Sequence, residues 1–132
     1  VKLEQRIKVC AVVMHQVCHR FNDGEQAYTP KDIHEVTKIP QQIINHAVKE
    51  LLQAKLLVEI RSEKKGSFEE SIILHPIEKI DHLTYGMMIE RLFTYGADVV
   101  GLAEQNPDWE KWKDIDVLNA ELVEKGKNIN FV

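Results

Sequence analysis

Leu3, Ile7, Cys10, Met14, Val17 and Phe21 recur at steps of three and four, the spacing that gathers side chains on one face of an α-helix. The pattern predicts a helix over 3–21. Val9, Val12 and Val13 add a second apolar flank, so this helix is expected to be buried or shared with another copy of the chain. Asn22-Asp23-Gly24 ends it. Thr29-Pro30-Lys31-Asp32 is a compact helix start, with Thr29 as cap, Pro30 in the first helical position and Asp32 three residues past the cap. The short helix over 30–37 turns Ile33 and Val36 inward.

Thr37-Lys38-Ile39-Pro40 makes a turn, and Pro40 opens a helix over 40–54. Its apolar residues are Ile43, Ile44, Ala47, Val48, Leu51 and Leu52. Gln42, Asn45, His46, Lys49 and Gln53 face solvent. Strands over 56–61 and 68–74 then flank the loop Ser62-Glu63-Lys64-Lys65-Gly66-Ser67. Thr84 caps a helix over 84–95 that carries Met88, Ile89, Leu92 and Phe93, with Gly96 after its end. Residues 97–104 add another turn or two. Asn106-Pro107-Asp108 starts a last helix over 107–125, with Trp109, Trp112, Ile115, Leu118 and Leu122 as its apolar positions and Gly126 as its stop. Residues 127–132 show no clear period.

A long helix, two short crossed helices and a two-stranded ribbon, followed by another helix, is the order of a winged helix-turn-helix. Ile33, Val36, Ile39-Pro40, Ile44, Val48, Leu51 and Leu56-Leu57 have the spacing by which two crossed helices share one core. The expected fold class is therefore mostly α with a small β-hairpin: a winged helix over 1–96, with a C-terminal helical extension and tail over 97–132. The fold serves both DNA binding and protein contact.

The chain has 132 residues, 44% of them hydrophobic and 29% charged, which excludes disordered and collagen-like classes and fits one domain. The apolar run at 9–14 falls well short of the ~20 residues of a membrane span. No cleavable leader is expected, and the opening Val1 raises the expectation of a longer parent protein. The formal charge is −4 and is segregated. Residues 1–66 hold 11 Lys/Arg against 8 Asp/Glu, and residues 67–132 hold 6 against 13.

That segregation bears on nucleic-acid binding. A DNA-reading use of the motif would place Gln41, Gln42, Asn45, His46 and Lys49 on base edges, with Arg61, Lys64 and Lys65 of the wing on phosphate. Yet residues 59–70 hold three basic and four acidic side chains, and phosphate contact needs cations. The balance weighs toward a solvated polar face.

Other chemistry finds less to stand on. Cys10 and Cys18 lie ~12 Å apart along a helix, beyond the ~7 Å reach of a disulfide, and read as buried thiols of a reducing compartment. His15, Cys18 and His19 have ligand-like spacing for zinc. No second cluster follows, so no metal or other cofactor is expected. There is no Gly-rich phosphate loop, Gly-x-Ser-x-Gly or His-Glu-x-x-His, so no catalytic residues are assigned. Asp108, Glu110, Asp114 and Asp116 read as a solvated face, and Trp109, Trp112, Met87 and Met88 as packing residues.

Between about Arg6 and Gly96 the chain resembles the cytosolic C-terminal region of the YihY family, inner-membrane proteins labelled ribonuclease BN-like. The matching residues are Arg6-Ile7-Lys8-Val9-Cys10-Ala11, Tyr28-Thr29-Pro30-Lys31-Asp32-Ile33, Ile39-Pro40, Leu51-Leu52-Gln53-Ala54-Lys55-Leu56-Leu57, Pro76, Ile80, Leu83-Thr84 and Gly96. Leu74 departs from the family's aromatic at that place. The helix-turn-helix part is also similar to MarR-like and IscR-like regulators, without the cysteine cluster of the latter. The resemblance implies membrane helices before Val1 and a place on the cytoplasmic face of the bacterial inner membrane. The leading expectation is a non-catalytic domain for protein contact, regulation or self-association. A DNA-binding transcriptional regulator is the alternative, and a ribonuclease the second alternative.

Overall fold

The computed structural model describes residues 3–63, 70–95 and 109–132. Its elements are α1 (Leu3–Asn22), α2 (Pro30–Thr37), α3 (Gln41–Gln53), β1 (Leu57–Glu63), β2 (Glu70–Pro76), a single 3-10 turn at Ile80–His82, α4 (Tyr85–Thr94) and α5 (Trp109–Gly126). The fold is mostly helical, with one small antiparallel hairpin.

α1 is the spine. Cys10, Val13, Met14, Val17 and Cys18 are buried against α3, β2 and α4. Of the second apolar flank, Val9 packs half-buried on the core and Val12 stays at the surface. The helix thus buries the middle of its main face within its own chain, while Leu3 and Phe21 at its two ends are exposed.

α2 starts where the sequence says it should. The Asp32 N–H donates to Thr29 Oγ1 at 3.1 Å, and the Thr29 N–H donates to Asp32 Oδ2 at 3.0 Å, so two otherwise orphaned groups satisfy each other. It ends at Lys38, which takes a left-handed conformation (φ 63°) and donates its N–H to His34 O at 2.8 Å. Ile33 is buried, but Val36, one turn further along and next to the end of an eight-residue helix, is exposed.

Pro40 caps α3 rather than opening it, with extended backbone. The other end of α3 is a Schellman motif. Lys55 takes φ 58°, Leu56 N–H donates to Leu51 O at 3.0 Å, and Lys55 N–H donates to Leu52 O at 3.1 Å. Leu56 therefore closes the helix instead of starting the strand. β1 and β2 pair from Leu57↔Pro76 to Glu63↔Glu70, and Leu57 and Leu74 point into the core.

Thr84 caps α4 by accepting the Met87 N–H at 3.2 Å. α4 packs on α5, and the tail returns to it. Tyr85 N–H donates to Ile129 O at 2.8 Å, Thr84 bridges Asn130, and Phe131 enters the core. Asp114 and Asp116 are exposed on α5. The side chains of Trp109 and Trp112, and the expected turns over 97–104, lie outside the described residues.

Candidate nucleic-acid interface

α2, the left-handed turn at Lys38 and α3 form the two crossed helices, and α3 carries the polar face. Ile44, Ala47, Val48 and Leu51 are buried. The opposite face leaves Gln42, Asn45, His46 and Lys49 exposed. Helical geometry alone separates the two sets, because residues three and four apart share a face.

Gln41 is not on that face. It is half-buried, and its Nε2 donates to Asn45 Oδ1 at 2.8 Å and to Pro30 O at 3.4 Å. It ties the start of α3 to the start of α2 and orients the Asn45 amide. The Asn45 oxygen has a second lone pair, which an adenine amino group can use in bidentate pairing.

His46 Nε2 lies 3.1 Å from Glu50 Oε1, one turn further along α3. Arg6 of α1 pairs with the same carboxylate oxygen, and Cys10 Sγ donates to Oε2 at 3.6 Å. Glu50, with a side chain only 18% exposed, is thus a hub between α1 and α3. The i, i+4 spacing of His46 and Glu50 is visible in the sequence. The partnership with Arg6, 44 residues away, is not.

The remaining candidates divide. Arg61 is exposed on β1, and Lys64 and Lys65 lie outside the described residues. Lys31 at the start of α2 and Lys38 in the turn are exposed beside the motif; helix periodicity does not single them out, because they lie at the ends of α2. His15 and His19 come together, with ring centroids 4.2 Å apart, but Cys18 lies inside the core. Burial pushes its thiol up to about 12, whereas a metal ligand must be the thiolate. Among the described residues no group of three His, Cys, Asp or Glu is placed to hold a metal ion.

No protein-family model matches the chain, and no curated protein matches it in sequence. Solved structures do match it. Staphylococcus aureus CymR aligns at a TM-score of 0.57 and 16% identity, over 96% of this chain and 92% of that one. CymR, the global cysteine regulator of B. subtilis, aligns at 0.55 and 14%, over 92% and 90%. A putative transcriptional regulator from Listeria innocua aligns at 0.55 and 14%, over 90% and 81%. The fold is a winged helix.

These matches overturn the YihY resemblance and the place beneath a membrane that it implied. Two of these structures, both titled as regulators, align with 92% and 90% of this chain. No described helix is long and apolar enough to cross a membrane. The residues that suggested YihY are those the winged helix itself needs. Thr29 and Asp32 cap α2, Ile33 and Leu51 fill the core, and Lys55-Leu56 close α3. They report the fold and not a membrane parent. The main reading, a domain of a ribonuclease BN-like membrane protein, falls with the resemblance.

Proposed function

We propose that this chain is a DNA-binding transcriptional regulator. α3 enters the major groove, with Gln42, Asn45, His46 and Lys49 toward base edges and Gln41 positioning Asn45. Arg61, Lys64 and Lys65 of the wing meet phosphate. The observation that carries the reading is the exposed polar face of α3, set by a capped α2 in a fold shared over most of its length with proteins titled as regulators.

The wing keeps its three basic and four acidic residues, but the charge of the whole chain looks different in three dimensions. Glu50, the carboxylate of α3, is paired with Arg6, while Lys31, Lys38 and Lys49 are exposed on the motif. Exposed acidic residues of the second half include Asp114, Asp116, Glu121 and Glu124 on α5. The acidic balance of the whole chain therefore says little about the helix-turn-helix.

The test is selection of duplexes from a random pool, followed by anisotropy titration across a salt series. Specific duplexes should bind with an affinity that falls as salt rises. Lys49→Gln should flatten the salt slope, and Asn45→Ala should relax sequence preference at one position, a loss of about 1–3 kcal/mol. Absence of binding to any duplex at tens of micromolar in low salt would sink the reading.

A further inference from the structure

Between α1, α3 and α4 lies a cleft of about 330 Å³, large enough for a small ligand. One wall is apolar, made by Ile7, Ile89, Leu92 and Phe93. The other holds Arg6, Lys49, His46 and Glu50, two fixed cations against one carboxylate. A second cleft of about 290 Å³ lies against the same Arg6, Glu50 and His46 and reaches Gln42 on α3.

We propose that the larger cleft is an effector site for a small organic anion with an apolar body. The ligand carboxylate sits at Arg6 and Lys49, and its hydrocarbon lies against Ile7, Ile89, Leu92 and Phe93. Three features support this assignment. The polar wall carries excess positive charge and so complements an anion. The Arg6 bond to Glu50 uses one nitrogen, Nη2, of a guanidinium that carries five N–H donors in a planar fork suited to carboxylates. The cleft touches the outward face of α3 through His46 and Lys49, so an occupant has a direct route to that helix. Arg6 drawn toward the ligand loosens its hold on Glu50, and Glu50 then engages His46 more strongly. This coupling to DNA rests on the regulator reading; the binding site does not.

The experiment titrates phenylpropionate and octanoate into the full isotope-labelled chain while backbone amide resonances are followed, with phenylpropionamide as the neutral control. The acids should give saturable shifts around Arg6, Glu50 and Leu92. The amide should bind about tenfold more weakly or worse, as expected for loss of a charge-assisted bond. Arg6→Gln should weaken the acids by a similar factor, and Phe93→Asp, at an exposed rim position, should weaken them independently. No saturable response to either acid, equal binding of acid and amide, or shifts centred on α5 would overturn the site. Anisotropy with a selected duplex then tests the coupling separately. An acid that binds the chain without changing duplex affinity refutes the coupling alone, and a chain that binds acid but no duplex refutes the regulator reading alone.

Discussion

Gly86 of α4 and Gly126 of α5 meet backbone to backbone. A methyl group built on Gly86 would fall 2.3 Å from Val123 O and 2.6 Å from Lys127 N, and one built on Gly126 would fall 2.7 Å from Gly86 Cα. These are clashes with main chain, which cannot rotate away as a side chain can. The same contact holds the chain just ahead of the Tyr85–Ile129 hydrogen bond and Phe131. The pair thus joins the last helix and tail to the winged helix.

Gly86→Ala should therefore destabilise the chain by about 3 kcal/mol, the upper end of overpacking effects. Gly24→Ala is the control. Gly24 has a positive φ of 69° with nothing near its missing Cβ, so only left-handed strain of about 1–2 kcal/mol applies. Urea unfolding of the two variants gives the comparison, and a larger loss at Gly24 would contradict the packing account.

The two thiols should be inert in the folded chain. Burial raises Cys10 to about 12, with Glu50 adding to the rise, and burial alone raises Cys18 to about 12. Reaction with an alkylating or disulfide reagent at neutral pH should be slow until denaturant is added. The pH dependence follows from the same shifts. An unfolded thiol ionises near about 8.5, so the thiols' contribution to stability is intact below that pH. It is lost progressively as the pH climbs toward 12. Replacing both by Ala or Val should flatten the alkaline fall in melting temperature; an unchanged profile would refute this cause.

Much of the winged helix is legible in the sequence because its signals are local. The Thr29–Asp32 box, the Thr84 cap and the buried stripe of α3 are each specified within a few residues. What periodicity does not reveal is which apolar positions have a partner. Val36, Phe21 and Phe93 fall on apolar stripes yet are exposed, Phe21 even with the His75 ring of β2 5.5 Å from its own. The tail has no period, yet Phe131 is in the core, because its order comes from a contact with α4 distant in sequence. The candidate interface divides in the same way. Gln42, Asn45, His46 and Lys49 follow from helix phase, whereas the Arg6–Glu50 pair depends on tertiary packing.

Self-association should run through α5 rather than α1, the middle of whose main face is already buried. Ile115, Leu118 and Leu122 follow one another by three and four on α5 and are 51%, 64% and 45% exposed. An apolar stripe of that width on a helix ordinarily packs on another surface, and helix-turn-helix readers use paired half-sites. Sedimentation should show a dimer that Leu118→Asp converts to a monomer, with duplex affinity falling in step. Dimers that survive Leu118→Asp but dissociate with Val12→Asp would return the interface to α1.

Arg6 and Glu50 give the regulator reading its sharpest check, because their replacement should move DNA binding in opposite directions. Glu50→Gln removes a negative charge next to the outward face of α3, so duplex affinity should rise. Arg6→Gln removes the cation paired with the Glu50 carboxylate and leaves that negative charge beside the outward face of α3, so affinity should fall. The ion pair itself adds little stability, since Arg6 is 43% exposed and screened by water. A merely structural pair would lower affinity in both variants, through a loosened α1–α3 contact. Anisotropy at two salt concentrations separates the cases, since an electrostatic effect shrinks as salt rises and a loosened contact does not.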